Sequence, residues 1–323
     1  MSWSQAGVQV EPRRPVRAGR VRSHGRAGRP TASTTLTSWL FIAPAMIGFG
    51  VFVAYPVLNM FWQSLQRDEG FGEQRFAGLH NFASMRSDPV LLHAVKVTVL
   101  YTVSSTVLQT AVPLVLAILV YSGPRRSGLV YRTLIFLPAA ISLTVAGLIW
   151  RLGLTPIFGV VNRMLGAVGL DGISQAWLSN PSTVVPTIIV VSLWQACGLY
   201  MLIFYAGLGN LDPAVLESAR IDGAGRFREA WSIIVPILRP VIEIVVILNV
   251  INGLKVFDLP FVMTGGGPNH ASETMSTYIT LMTFGSASGG NPNFGYGSAI
   301  GVVVFLGAAL ASLILWRIRR SDA

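Results

Sequence analysis

The sequence predicts an all-α membrane protein with six transmembrane helices. Three observations carry that expectation. The composition is apolar and poor in charge, with 52% hydrophobic and 12% charged residues over 323 positions, which places the chain among integral membrane proteins. Six hydrophobic runs approach or exceed the roughly 20 residues that a membrane helix needs. They lie near Trp39 to Leu65, Ala94 to Tyr121, Tyr131 to Leu152, Val184 to Leu208, Val241 to Met263 and Tyr296 to Trp316. Lys and Arg concentrate in alternate loops between those runs, the asymmetry expected of a multi-pass protein.

Residues 1–35 carry Arg13, Arg14, Arg17, Arg20, Arg22, Arg26 and Arg29 among Pro, Gly, Ser and Ala. That composition cannot build a core and reads as a disordered tail that brushes anionic headgroups. The basic region is too long, and the first apolar run too extended, for a cleaved signal peptide. A positive-inside anchor already accounts for these arginines, so the net charge of +10 is not read as a nucleic-acid surface. Residues 36–92 form the first span with its outer loop, which contains Phe76 to Phe82, FAGLHNF. That heptad either docks an extracytoplasmic partner or folds over helix ends. Residues 93–318 form the transmembrane core, and 319–323 a short cytoplasmic tail. Pro44, Pro56, Pro113 and Pro138 interrupt the runs and imply kinks that neighbouring helices repair.

With the amino terminus inside, the cytoplasmic segments hold Arg125, Arg126 and Arg132, then Arg220, Arg226, Arg228 and Arg239, and finally Arg317, Arg319 and Arg320. Arg67, Arg75 and Arg86 share an outer loop with Asp68, Glu69, Glu73 and Asp88, and the stretch from Thr264 to Gly295 has neither Lys nor Arg. The outer loop from Gly153 to Ser182 is expected to cap the path. Both termini are therefore placed in the cytoplasm.

Between the fourth and fifth runs lies a long polar interruption, Leu211 to Pro240. Asp212-Pro213 reads as an N-cap with proline at the first helical position, opening a short helix to Ile221. Asp222-Gly223 supplies a turn, and a second amphipathic helix from Arg226 to Ile234 is closed by Pro236. The two make a helix-turn-helix elbow against the membrane. Within it Glu217-Ser218-Ala219, three residues, Gly223, nine residues, Ile233, one residue, Val235-Pro236 resembles the EAA loop of binding-protein-dependent ABC importer permeases. The spacing is kept; Ser218 and Val235 depart from that family's Ala and Leu.

The resemblance implies a type I ABC importer permease fold, with Glu217, Ser218, Ala219, Asp222, Gly223, Ile233 and Pro236 as the surface coupled to a separate ATPase. It further implies a second homologous permease, two copies of a cytoplasmic ABC ATPase that bind ATP and Mg, an extracytoplasmic solute-binding protein and a surrounding lipid bilayer, the inner membrane of a bacterium. Phe257-Asp258, then Thr264-Gly265-Gly266-Gly267-Pro268, and later Gly295-Tyr296-Gly297-Ser298-Ala299 are similar to the maltose-type subgroup's first permease subunit. That subgroup imports oligosaccharides, other sugars and, in some members, glycerol phosphates.

Polar residues inside apolar runs are the candidates for the path, because charge at the bilayer centre costs about 2.5 to 3.5 kcal/mol on insertion scales. Asn249, Asn252, Lys255 and Asp258 recur at intervals of three in the fifth run. Lys255 and Asp258 could pair at i, i+3, which would make their joint burial tolerable. Asn249 and Asn252 either meet cargo hydroxyls or bond between helices. Trp194 and Gln195 in the fourth run offer an aromatic face and an amide, or pack. Thr98, Thr102, Ser105 and Gln109 share one face of the second run and either cement contacts or line a path.

Catalytic chemistry is not expected. The residues before Lys96 and Lys255 are Val95 and Leu254, so no phosphate-binding glycine loop precedes a lysine. Cys197 stands alone, excluding an internal disulfide, and His24, His80, His93 and His270 are dispersed, which argues against a metal cluster. This chain is expected to bind no cofactor and to import a carbohydrate. The same architecture could carry glycerol-3-phosphate or a glycerophosphodiester, and an ion-coupled secondary transporter is the remote alternative.

Overall fold

The computed structural model describes residues 32–67, 75–123, 125–285 and 292–321, so most of the arginine-rich tail lies outside the described residues. By packing, the chain divides into a segment up to Tyr55 and a body from Pro56 onward. Among the described residues, the secondary structure is helical apart from one ribbon of two-residue strands. Among the described residues, four helices are long and apolar enough to cross a membrane, or up to six if each of two bent pairs is one span.

The first segment holds α1 (Ala32–Phe49), which begins inside the stretch expected to be tail, and a π-helical turn over Gly50–Ala54. That turn closes with Tyr55 N–H donating to the Gly50 carbonyl. The next residue, Pro56, has no N–H to give, so the wider register ends where an α-helical bond could not be made.

Next in the chain comes α2 (Tyr55–Ser64), all but its first residue in the body, followed by the ribbon β1 (Gln66–Arg67) and β2 (Arg75–Phe76), antiparallel with Gln66 opposite Phe76. The ribbon lies where the sequence suggests only a loop. Asn81 in α3 (His80–Ser84) is buried and donates its amide to the Ser64 and Gln66 carbonyls at 2.9 and 2.8 Å. The FAGLHNF segment thus folds back over the end of α2. Asp88 caps α4 (Pro89–Tyr121), accepting from Val90 and Leu91 N–H at 3.0 Å each. At 33 residues, α4 is about 50 Å long, well beyond a hydrocarbon core of about 30 Å.

The third run is not one straight helix. α5 (Arg125–Phe136) passes through a 3-10 turn at Leu137–Ala140, and α6 (Leu143–Gly153) leaves at 92°. Pro138 starts the 3-10 turn, and Ser142 caps α6 by accepting from Val145 N–H. The Ile141 carbonyl freed at the bend receives the Gln195 amide at 3.0 Å, as a backbone group inside a membrane must be satisfied locally. After α7 (Val160–Ala167), α8 (Val184–Leu208) runs unbroken against α4. Gly198 of α8 touches the α5 backbone so closely that a Cβ there would fall 2.5 Å from Phe136 Cα, the small-residue contact typical of membrane helices.

The elbow comprises α9 (Pro213–Ile221), α10 (Arg226–Glu229), a second π-helical turn at Ala230–Ile234 and α11 (Val235–Ile237). Pro236 therefore does not close the second elbow helix, as the sequence suggests, but sits in the first turn of α11. Val235 N–H donates to the Ala230 carbonyl just before it, which leaves the proline no bond to break. The chain then turns by 71° into α12 (Arg239–Leu254). The fifth run also divides, since α12 stops at Leu254 and α13 (Asp258–Thr264) starts anew. α14 (Met275–Phe284) and α15 (Phe294–Ser321) complete the chain.

Three apolar clusters hold the body together. One joins α4 and α8 to the elbow through Leu114, Phe204, Leu208, Leu216, Ile234 and Leu238. Another packs α8 against α13 through Ile188, Leu259 and Met263. The third joins α4 to α14 and α15 through Leu91, Tyr278 and Ile300.

Candidate functional site

A cavity of about 490 Å³ opens between α4, α8, the α5–α6 bend and the break after α12. Its polar wall is built in two layers. Ser192 of α8 accepts hydrogen bonds from the Tyr101 hydroxyl and the Gln109 amide of α4, both at 2.8 Å, so three residues distant in sequence form one buried cluster. Asn249, 3% exposed, spends its amide donor on the Val245 carbonyl at 3.0 Å. Asn252, Lys255 and Asp258 are exposed and also line the space.

Sequence expectation and placement differ residue by residue. Gln195 lines the cavity while satisfying the Ile141 carbonyl. Trp194 is not a lining residue; its ring meets Trp150 edge-on with centroids 5.5 Å apart. Lys255 and Asp258 flank the turn between α12 and α13, so the helical geometry that would pair them at i, i+3 does not exist there. On the second-run stripe, Ser105 and Gln109 reach the cavity. Thr98 instead bonds the Ala94 carbonyl and accepts Met275 N–H, and Thr102 bonds the Thr98 carbonyl. The hub at Ser192 is missed by the sequence reading because nothing local links positions 101, 109 and 192.

The stretch Thr264 to Pro268 starts at the last residue of α13 and does not line the cavity. Gly265 takes a left-handed conformation at φ 59° and returns its N–H to the Pro260 and Phe261 carbonyls. Gly266 follows at φ 88°, where a side chain would collide with the Glu273 carboxylate. Glu273, 3% exposed, receives the Thr277 hydroxyl at 2.6 Å and lies 3.1 Å from His270 Nδ1. Thr264 and Ser272 hydroxyls meet at 2.7 Å. The glycines therefore shape a compact knot, and the signal that could have exposed its centre was a lone glutamate in a loop without Lys or Arg. Nearby, the hydroxyls of Tyr278 and Tyr296 both donate to Asp88 Oδ2 at 2.7 Å. Burial pushes the Asp88 carboxyl up, yet its backbone and tyrosine hydrogen bonds outweigh that and hold it below the usual carboxylate value.

At the elbow, Asp212 caps α9 by accepting Ala214 N–H at 2.9 Å. Gly223 turns the chain at φ 80°, a conformation favouring glycine. Leu216 and Ala219 face inward, whereas Glu217, Ser218 and Asp222 are exposed; Ile233 is half-buried and Pro236 exposed. Beside them Ile221, Phe227 and Trp231 expose 81%, 78% and 51% of their surface, an apolar patch on an otherwise charged segment. Across the turn, Arg220 grips the buried Glu229 with two hydrogen bonds of 3.0 and 2.8 Å.

The model of the family described as "Binding-protein-dependent transport system inner membrane component" matches residues 89–320. The chain belongs to that family. It is a multi-pass inner-membrane permease and a non-catalytic component of an ABC transporter. The permease is 34% identical over 278 residues to the probable ABC transporter permease YurN of Bacillus subtilis, covering 85% of this chain and 93% of that protein. It is 31% identical to the lactose transport system permease LacF of Rhizobium radiobacter, covering 86% and 92%. A solved bacterial alginate ABC transporter, in complex with an alginate pentasaccharide-bound periplasmic protein, has a chain of similar fold. There the TM-score is 0.78, the identity 22%, and the coverage 90% of this permease and 96% of that chain. Among the described residues, no group of three or more His, Cys, Asp or Glu could hold a metal ion.

Proposed function

We propose that the permease is one of two homologous membrane subunits of a type I ABC importer that moves a carbohydrate into the cytoplasm by alternating access. The observation that carries this reading is that a single helix, α12, runs from the elbow to the cavity and ends beside Asn252. One of two cytoplasmic ATPase copies, each binding ATP and Mg, would dock on Glu217, Ser218, Asp222 and the apolar patch beside them. Ala219, Gly223, Ile233 and Pro236 would shape that surface from within. Nucleotide-driven closure of the ATPases then rocks the helices as rigid bodies, and a solute-binding protein delivers cargo from outside. Orientation follows the positive-inside asymmetry, with both termini in the cytoplasm and six spans counted by taking the bent third and fifth segments as crossings.

The lining favours a neutral polyhydroxylated cargo. Asn252, Gln109, Gln195, Ser105, Tyr101 and Tyr200 supply amide and hydroxyl groups, and the charged lining residues are one cation, Lys255, and one anion, Asp258. A phosphate ester favours an excess of fixed cations, which this wall lacks. The lactose named for one relative agrees with a sugar cargo. Thr264 to Pro268 serve here as a scaffold behind the cavity mouth.

The test is uptake by the complete complex in proteoliposomes, offered neutral oligosaccharides, glycerol-3-phosphate and a glycerophosphodiester. ATP- and binding-protein-dependent uptake of a neutral sugar is expected. Preference for a phosphorylated solute would overturn the cargo assignment. Gradient-driven uptake by this chain alone would overturn the ABC mechanism.

A further inference from the structure

The elbow can move α12 only if its two arms turn together, and the turn that joins them is poorly suited to enforce this. Gly223 is exposed, and nothing within 4 Å surrounds the position of an added Cβ. Backbone bonds from Gly223 N–H to the Arg220 carbonyl and from Ala224 N–H to the Ala219 carbonyl shape the turn, but they do not reach the second arm. A cleft of about 420 Å³ separates the elbow from Ile118 and Ser122 at the end of α4, so side-chain packing does not fill the angle there.

Leu216 and Ile234 share an apolar cluster deeper in the body, and at the turn itself an ion pair spans the angle. Arg220, in the last turn of α9, sends Nε to Glu229 Oε2 at 3.0 Å and Nη2 to Oε1 at 2.8 Å. The two-pronged geometry fixes orientation as well as distance. The pair is lopsided: the arginine side chain is 62% exposed and the glutamate 9%. An exposed ion pair contributes little by itself, but a carboxylate held inside the elbow without its partner is a strongly unfavourable alternative. Glu229 is also the last residue before the π-helical turn that leads to the 71° bend into α12.

We infer that Arg220 and Glu229 form a positioning brace that makes the elbow transmit displacement to α12 as one rigid piece. The inference rests on the reading of the elbow as the part that receives ATPase motion. With the brace, displacement of α9 rotates the 226–237 arm; without it, the displacement is absorbed at Gly223.

Two measurements on the full complex test this. In proteoliposomes, Arg220→Gln and Glu229→Gln are each expected to lower cargo imported per ATP hydrolysed by about two- to thirtyfold, the usual size of a mutational change in coupling, with ATPase subunits retained on purification. The exchange Arg220→Glu with Glu229→Arg is expected to restore most of the ratio. Spin labels at Val215→Cys and Ser232→Cys, read against the buried Cys197, should show a narrow distance distribution that broadens in Glu229→Gln. An unchanged ratio, loss of ATPase subunits in the single variants, or failure of the exchange to restore coupling overturns the brace. An unchanged label distribution does the same. If broadening occurs while a Phe227→Asp elbow still binds ATPase and transports normally, the brace stands and the docking role of the elbow falls.

Discussion

Gly253 of α12 lies against Thr102 of α4 so closely that a Cβ at position 253 would fall 2.9 Å from the Thr102 Cα and 2.8 Å from its Oγ1. The obstructing atoms include backbone, so the helices cannot yield by a rotamer change alone. Gly253→Val is expected to destabilise the purified permease by about 1–3 kcal/mol, the usual cost of overpacking, and thermal unfolding in detergent measures it.

Gly223 makes the opposite case. Its surroundings are open, so a larger side chain meets backbone strain rather than a clash. Gly223→Val should cost about 1–3 kcal/mol locally and abolish cargo uptake while membrane insertion is retained. Uptake normalised to the amount of inserted protein reads both, and normal transport would count against the elbow as the coupling element.

Asn252 and Asn249 should separate by phenotype. Asn252 is exposed in the cavity, so Asn252→Leu is expected to impair transport while the ATPases remain bound. Asn249 is buried and bonded to its own helix, so Asn249→Leu is expected to change stability more than cargo affinity. Uptake kinetics against cargo concentration, measured beside unfolding midpoints, distinguish the two.

The carboxylate clasp at Asp88 gives a pH signature. Its folded state favours ionisation, so the stability it contributes is complete above the ordinary carboxylate value of 3.8 and is lost as pH falls below that value. Asp88→Asn keeps an acceptor for the α4 cap but does not titrate. The stability difference between the natural chain and this variant should stay constant from neutral pH to near 3.8 and shrink in stronger acid, as unfolding series across that range would record.

Much of the fold was legible because apolar length and turn residues are local properties. Helix α8 has the bounds the sequence implies, since Asn180-Pro181 and Gly209-Asn210 interrupt the backbone on either side. The 92° bend within the third run and the break at Lys255 were hidden, because hydropathy remains high through a turn that is buried among other helices. Ser142 was the available cue to the first. The cavity was half legible: Asn252 and Gln195 stood out as polar groups in apolar runs, but the meeting of Tyr101, Gln109 and Ser192 depends on how α4 crosses α8. Trp194 offered an aromatic face or a packing residue on its type alone, and its ring meets Trp150.

Helix α12 has a further mechanical consequence. Its 16 residues make a rod of about 24 Å, starting after the 71° bend at Leu238 and ending one residue before Lys255. A tilt of about 10° at that bend sweeps the far tip through about 4 Å of arc, on the scale of a monosaccharide ring. Were the elbow to receive the ATPase motion, such a sweep would displace Asn252 at the cavity, and the close seat of Gly253 on Thr102 would oblige α4 to move with that tip.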